Sequence, residues 1–251
     1  MQGTKAIAVV VGATGEFGGA IVRRLANEGL RIVAVARTEA ALDSLREQVP
    51  DVVPCVADIA SDDAIAAISA ALDGPVKIVV HGPGLSQPGG VLDIAPKALA
   101  EAVNIKAGGM LRLVRAVDAK LANDARLVAI GGHYGFEPSD YASAPGVANA
   151  ALANLVKQLA LAYGKRGITA HLIAPGPADT PRLRAIAARR AEKRGVAAET
   201  VLEEMRDESC IGQFTTPEQV AWAVTMLLAP EAVAVTGSSW MLDAGRRRGL
   251  P

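Results

Sequence analysis

The stretch KAIAVVVGATGEFGGAIVRRLANEGLRIVAVAR, from Lys5 to Arg37, decides the fold. Its apolar run from Ala6 to Val11 is rich in β-branched residues and ends at a turn that holds three glycines. An apolar helical pattern follows, and a second apolar run extends from Ile32 to Val35. Short apolar runs bounded by turn signals are typical of buried strands. The stretch therefore predicts a strand, a tight turn, a helix and a second strand.

The three glycines of the turn have separate physical jobs. Gly12 permits a turn that a Cβ would obstruct, Gly15 lets the backbone approach a bound group, and Gly18 lets the helix pack on the sheet. The unpaired N–H groups and partial positive charge of the helix N-terminus favour a pyrophosphate. Because a strand precedes this turn and a helix follows it, the pattern predicts a dinucleotide site. Its predicted cofactor-binding residues are Gly12, Thr14, Gly15, Glu16, Phe17 and Gly18.

The end of the second strand indicates which dinucleotide binds. An Asp or Glu at this place would hydrogen-bond the ribose 2′-hydroxyl, but the chain has Ala36, Arg37 and Thr38. A guanidinium can bind a 2′-phosphate through two charge-assisted hydrogen bonds, which a carboxylate would repel. We therefore predict NADP(H) in preference to NAD(H), with Arg37 and Thr38 at the 2′-phosphate. The alternative is that Arg37 is one more solvated surface charge.

The composition is that of one globular domain over residues 1–251. Hydrophobic residues make up 51% of the chain and aromatic residues only 3%, so the core must consist largely of Ala, Val, Leu and Ile. The 26 basic and 26 acidic residues give a formal net charge of zero. This balance gives no broad attraction to nucleic acid or to an anionic membrane, and we expect neither as a partner.

The cysteines and the N-terminus indicate the compartment. Cys55 and Cys210 are far apart and lack metal-ligand spacing, so we expect free thiols in a reducing environment and no metal site. The N-terminus lacks the features of a signal peptide, and no segment reaches about 18 uncharged apolar residues. We expect a cytoplasmic protein.

Strand and helix patterns alternate along the rest of the chain, which predicts right-handed crossovers. The expected fold is α/β: a single doubly wound, mostly parallel sheet with helices on both faces, the Rossmann fold. A charged but helical segment at about 181–209 suits an exposed flap that covers a substrate. The further predicted strands are Val52 to Val56, Val76 to Val80, Arg126 to Ile130, Ile168 to Ala174 and Ser238 to Leu242.

Several short motifs together resemble the short-chain dehydrogenase/reductase family over essentially the full length of the chain. Besides the glycine turn they are Asp58, Asn104, Tyr141-Ala142-Ser143, Pro175-Gly176 with Thr180, and the ending from Thr236-Gly237 to Asp243-Ala244-Gly245. The resemblance implies that Asp58 contacts the adenine amino group and Thr180 the nicotinamide carboxamide. His81-Gly82-Pro83-Gly84 stands where the family has an Asn-Asn-Ala-Gly turn that supports the central sheet. The implied cofactor contacts on these segments are Asp58, Ile59, Gly82, Pro175, Gly176 and Thr180.

The family resemblance also implies a homodimer or homotetramer. The packing helices would be those that span Pro96 to Leu121 and Pro145 to Ala162, whose Ala- and Gly-rich faces permit close approach.

The departures from the family pattern concern catalysis. In typical members a Ser, a Tyr and a Lys four residues after the Tyr act together, assisted by an Asn. Here Asn104 and Tyr141 are present, but Gly132 stands at the expected Ser position and Pro145 at the expected Lys position. An unperturbed Tyr has a pKa of about 10, so we expect Tyr141, without an ammonium neighbour, to be a neutral phenol near pH 7. Such a phenol can donate a proton but is a poor base.

Three interpretations follow. The first is an NADP(H)-dependent reductase of a small molecule in which Tyr141 donates the proton and His133 orients the substrate, since the charge of a His changes near neutral pH. The second is a non-catalytic NADP(H)-binding sensor or scaffold. The third is a lyase, epimerase or dehydratase on the same fold. For the two residues taken singly there are alternatives. His133 could be a surface or packing residue, and Tyr141 could be a packed aromatic without a role in chemistry.

Overall fold

Seven parallel strands form one sheet in the computed structural model, which describes residues 5–87 and 89–249. The sheet order is β3-β2-β1-β4-β5-β6-β7, so β1 and β4 are neighbours at its centre although two strands separate them in the chain. The strands are β1 (Ile7–Val11), β2 (Arg31–Ala36), β3 (Val52–Val56), β4 (Val76–His81), β5 (Leu121–Ile130), β6 (Thr169–Pro175) and β7 (Ser239–Leu242). Residues 1–4, 88, 250 and 251 of the predicted domain lie outside the described residues.

Helices connect the strands. They are α1 (Glu16–Asn27), α2 (Glu39–Gln48), α3 (Asp63–Ala70), α4 (Pro96–Val103), α5 (Gly109–Val117), α6 (Ser143–Tyr163), α7 (Pro181–Arg194), α8 (Ala198–Asp207) and α9 (Pro217–Met226). The long helix predicted from Pro96 to Leu121 is interrupted, because a π-helical segment, Asn104–Gly108, joins α4 to α5. Such segments widen a helix locally and are frequent at functional sites. No helix of the described chain is long and apolar enough to cross a membrane.

The sheet is covered on both faces, which explains the nearly continuous apolar strands. Ile7, Val9 and Val11 of β1 pack with residues of α3, α5 and α6 in one core. Ala8 and Val10, which point to the opposite face, pack with residues of α1 and α9 in a second core. The predicted doubly wound Rossmann-type sheet and its single-domain organisation are confirmed.

The two central strands end at a shared crevice. The Gly82 N–H, just after β4, donates to the Val11 carbonyl at the end of β1 over 3.0 Å. Gly12 has φ +79°, and a Cβ at this position would lie 2.8 Å from the Gly82 carbonyl oxygen. The chain reverses its direction of winding here, which is where open α/β sheets bind ligands.

The segment predicted as a flap is a helical hairpin. Helices α7 and α8 pack on each other through a small separate core that includes Leu183, Ala187, Val201 and Met205. Their charged residues face outward, as the sequence pattern predicts. That this hairpin covers a substrate stays a prediction.

Candidate cofactor and active site

The N-terminus of α1 is an uncapped helix end beside the central crevice. Gly15, its N-cap residue, is extended and supplies no side-chain hydrogen bond to the amides of the first turn. Thr14, Gly15 and Glu16 are exposed there, and they border a cavity of about 280 Å³ that extends between α1 and α2. Open first-turn amides and the helix dipole form an anion site that suits a diphosphate.

The neighbouring glycine is fixed by packing. A Cβ at Gly18 would overlap the Gly12 carbonyl oxygen and lie 2.8 Å from the Ala13 Cα. Phe17 is partly buried against the core on the α1 face of the sheet. The turn is therefore held by close backbone contacts, while its outer amides stay accessible.

Arg37 and Thr38 follow β2 and are both exposed. Thr38 is the N-cap residue of α2 but makes no side-chain cap hydrogen bond. Within residues 5–87 and 89–249, the Arg37 guanidinium has neither an ion-pair nor a hydrogen-bond partner. The Arg37 guanidinium and the Thr38 hydroxyl are thus two donors without a partner in the described chain, and such donors fit a 2′-phosphate.

Asp58 and Ile59 begin the loop after β3. The Asp58 carboxylate accepts a hydrogen bond from the Ala60 N–H at 3.0 Å, and Ile59 is buried. The Asn104 side-chain amide donates to the Ala60 carbonyl at 3.0 Å. Asn104 therefore holds the β3–α3 loop, and within the described chain no hydrogen bond joins it to Tyr141 or His133.

The segment after β6 contains the residues that the family resemblance assigns to the nicotinamide. Gly176 donates its N–H to the Leu242 carbonyl at 2.9 Å, and a Cβ there would lie 2.8 Å from the Asp243 Cα. Thr180 is the N-cap residue of α7: its hydroxyl accepts from the Leu183 N–H at 3.4 Å and donates to the Ala178 carbonyl at 3.3 Å. Pro175 ends β6 and is buried.

Tyr141 is paired with a second tyrosine. Its hydroxyl lies 3.0 Å from that of Tyr134, and the two rings meet edge to face. The Arg190 guanidinium lies 4.5 Å from the centre of the Tyr141 ring. Burial opposes ionisation of Tyr141, yet hydrogen bonds with Tyr134 and Ser139 and the charge of Arg190 together lower its pKa below the usual value. Burial and the hydrogen bond with Tyr141 raise the pKa of Tyr134 to about 12.

His133 is a buried, neutral histidine. Its ring stacks at a tilt on Tyr134 with centroids 3.9 Å apart, and both line a cavity of about 430 Å³ together with Tyr141. Burial and the nearby Arg246 lower the pKa of His133 to about 4. The expectation that its charge changes near neutral pH is therefore wrong, because the protein interior excludes the imidazolium. A role as a hydrogen-bonding group that orients a substrate stays a prediction.

Asn149 is a residue that the sequence reasoning missed. A Cβ at Gly132 would lie 2.9 Å from the Asn149 Nδ2 atom, so Asn149 is the α6 side chain that faces the expected Ser position. Asn149 is only 4% exposed, and its Oδ1 atom is buried with no hydrogen-bond partner in residues 5–87 and 89–249. If Asn149 takes the Lys position, then Pro145, four residues before it, takes the Tyr position, and Tyr141 lies one helical turn before the place that the family pattern gives to the Tyr. The sequence does contain a signal that could have pointed to Asn149, since it is the lone polar residue between Ala144 and Ala153.

Two more buried polar residues lie at the carboxyl edge of the central strands. His81 ends β4, and its Nε2 atom is 3.1 Å from the Ile105 carbonyl, so this nitrogen carries the proton. Burial and then the charge of Lys106 lower the pKa of His81 to about 3. The Lys106 Nζ atom donates to the Ile130 carbonyl at 2.8 Å. No group of His, Cys, Asp and Glu in the described chain is arranged to hold a metal ion.

Comparisons with known proteins identify the family. The model of a family described as Enoyl-(Acyl carrier protein) reductase matches residues 12–247. A short-chain reductase protein, NovJ, from Streptomyces niveus is 28% identical, over 96% of this chain and 94% of that protein. A putative ketoacyl reductase from Streptomyces coelicolor is also 28% identical, over 95% of this chain and 96% of that protein.

Solved structures agree with the sequence comparisons. An actinorhodin polyketide ketoreductase solved with NADPH is 25% identical, with a TM-score of 0.87, and the match covers 96% of this chain and 97% of that one. L-sorbose reductase from Gluconobacter frateurii, solved with NADPH and L-sorbose, is 25% identical with a TM-score of 0.89 and 98% coverage of both chains. These matches agree with the crevice, the glycine turn and the arrangement of the helices. They show that the chain belongs to the short-chain dehydrogenase/reductase family.

Proposed function

We propose that this protein is an NADP(H)-dependent oxidoreductase that reduces a carbonyl group of a small molecule. The observation that carries the proposal is the combination of an uncapped α1 N-terminus with an Arg37 that has no partner in the described chain. The relatives solved with NADPH support the same cofactor. When bound, NADPH supplies the hydride.

The protein's own residues would hold that cofactor in three places. The amides of Glu16, Phe17 and Gly18 would receive the diphosphate, and Arg37 with Thr38 the 2′-phosphate. Asp58 would bind the adenine amino group. The other contacts, by family resemblance, are Ile59, Gly82, Pro175, Gly176 and Thr180. The α7–α8 hairpin would close over the substrate.

Tyr141 is the proposed proton donor. Its pKa lies below that of an ordinary tyrosine, which makes the phenol a better acid, and its hydroxyl pairs with Tyr134 at the wall of the larger cavity. General acid catalysis by one side chain contributes about 10²-fold to 10⁴-fold. Asn104 would act indirectly, by fixing the loop after β3, and His133 by packing against the tyrosine pair.

The test is a comparison of two tyrosine variants against a panel of ketones and aldehydes. Tyr141→Phe should lower kcat by at least about 100-fold while NADPH binding stays unchanged. Tyr163→Phe is the matched control, because its hydroxyl donates to Asp118 at the far end of α6. Undiminished kcat in Tyr141→Phe would remove Tyr141 from the mechanism.

A second candidate function is an NADP(H) sensor or scaffold without turnover. It is favoured by Gly132, Pro145 and Asn149, none of which supplies the hydroxyl or the ammonium that typical family members carry in this region. Tight NADPH binding with no turnover of ketones, imines or activated alkenes would select this function.

We further propose a homodimer or homotetramer. Val147 and Leu161 on α6 are 47% and 75% exposed, as expected for a helix face that a second copy would cover. Sedimentation velocity of the wild type and of Leu161→Glu tests this: the charged variant should shift towards monomer.

A further inference from the structure

Lys106 is a buried lysine at the carboxyl edge of the sheet. Only 6% of it is exposed, and it projects from the π-helical segment between α4 and α5. Its Nζ atom reaches the carbonyl of Ile130, the last residue of β5 and the second residue before Gly132. The amine therefore lies beside the strand end that in typical family members carries the catalytic Ser.

The ammonium of Lys106 is only partly satisfied. An ammonium has three donors, and the Ile130 carbonyl is its sole hydrogen-bond acceptor in the described chain. No carboxylate pairs with it there. Its charged or titratable neighbours are His81, which is neutral, and Arg182 at the start of α7, whose charge repels it.

Burial, and after it the repulsion by Arg182, lower the pKa of Lys106 to about 8. An unpaired ammonium in the interior destabilises the fold, and groups perturbed in this way cluster at functional sites. The arrangement suits a charge that is paired only when a ligand is bound.

The surroundings contain a second unsatisfied group. The Asn149 side chain faces Gly132, and its Oδ1 atom is buried without a hydrogen-bond partner among the described residues. A donor with unused N–H bonds and an acceptor with unused lone pairs thus flank the same strand end. A carbonyl oxygen accepts hydrogen bonds, so the Lys106 ammonium can bind it, whereas the Asn149 Oδ1 atom can bind only a group that donates one.

We propose that Lys106 is a catalytic residue that donates a hydrogen bond to the substrate oxygen and stabilises the negative charge that forms on it. This rests on the proposed carbonyl reductase function. The carbonyl carbon gains the hydride supplied by NADPH, which leaves as NADP⁺, and the carbonyl electron pair moves onto the oxygen. The oxygen then gains the proton of Tyr141, which completes the alcohol, and Tyr141 recovers a proton from solvent. Lys106 keeps its proton throughout.

The first test uses wild-type protein labelled with ¹³C at the lysine ε-carbons. The Lys106 resonance is the one that is lost in Lys106→Arg, and Lys157, which is exposed on α6, is the control. Addition of NADPH should shift the Lys106 resonance and leave that of Lys157 in place. Calorimetric NADPH binding without a shift of Lys106 overturns this proposal alone. Absence of NADPH binding overturns the proposed function as well.

The second test compares Lys106→Met, Lys106→Arg and the control Lys157→Met. Loss of one preorganised donor to a developing oxyanion costs about 100-fold to 1,000-fold in kcat. Lys106→Met should show such a loss with an NADPH Kd within about threefold of wild type. Lys106→Arg should recover part of the rate and move the alkaline fall in kcat to a higher pH than in the wild type. Equal kcat in wild type and Lys106→Met, or an unchanged alkaline limb in Lys106→Arg, overturns the proposal.

Discussion

The cofactor half of the crevice and its substrate half differ in what carries their chemistry. Around β1, α1 and β2 the site consists mainly of backbone amides, and the glycines that shape it are held by close contacts. Around β5 and α6 the chemistry of the family depends on side chains, and here Gly132 faces Asn149 at that place. A fold can therefore retain its ligand crevice while its catalytic groups change.

The comparison also concerns electrostatics. In the cofactor half, Arg37 is exposed and without a partner in the described chain. In the substrate half, His133 and Lys106 are buried, and burial is the first cause of the lowered pKa of each. Substitutions in the cofactor half should thus change the affinity for the cofactor. Substitutions in the substrate half should change the free energy of unfolding and its dependence on pH.

The largest expected effect follows from Gly18→Ala. The added methyl group would overlap the Gly12 carbonyl oxygen, so the turn must move and the first-turn amides with it. NADPH affinity, measured by calorimetry, should fall by more than about 100-fold, or about 2.7 kcal/mol. Gly164→Ala is the control, because its added Cβ would meet no other part of the described chain within 4 Å and its φ is negative. Equal losses in the two variants would show that the close contact at Gly18 is not responsible.

The next effect is the acid sensitivity of the substrate half. The pKa of His133 is lowered from 6.5 to about 4, so the unfolded chain binds a proton in this range while the folded protein does not. The stability that His133 contributes is therefore present above pH 6.5 and is lost as the pH falls towards 4. At pH 5, which lies about 1.5 units below the pKa of the histidine in the unfolded chain, the lost stability amounts to about 2 kcal/mol.

Urea unfolding of wild type and His133→Asn at pH 7 and pH 5 measures this loss. The wild type should lose more stability than the variant over this interval, by about 2 kcal/mol. His81 and His171, whose pKa values are also lowered by burial, contribute equally to both proteins and cancel in the comparison. The same loss in both proteins would show that His133 is not a neutral buried group.

The smallest effect concerns cofactor choice. Arg37→Ala should weaken NADPH binding by about tenfold or somewhat more, or about 1.4 kcal/mol, and should leave NADH binding unchanged. Arg46→Ala on the exposed face of α2 is the control and should change neither Kd. Equal weakening of both coenzymes by Arg37→Ala would assign Arg37 a structural role.

The fold could be predicted because its signals are local. The apolar runs before Val11 and Val35 and the glycines between them specify strand, turn and helix without reference to distant residues. The strands at Val52–Val56 and Ser239–Leu242 also agree with prediction to within one residue. Repeated alternation of strands and helices then leaves few topologies.

The candidate site could be predicted only in part, because its contacts span the chain. Asn149 faces Gly132 across the gap between α6 and β5. No tyrosine of the sequence has a lysine four residues after it, so the sequence alone does not fix the register of the catalytic motif. Lys106 resembles an ordinary helix-surface lysine until its contact with Ile130 is known. The lowered pKa of His133 likewise depends on burial, which the loop sequence does not indicate.

The most direct measurement is calorimetric titration of the wild type with NADPH and with NADH. The account predicts one site per chain for NADPH, with a Kd at least about tenfold lower than that for NADH. Absence of heat for both coenzymes, together with no change in Tm, would contradict the central claim that the α1 N-terminus and Arg37 hold a dinucleotide.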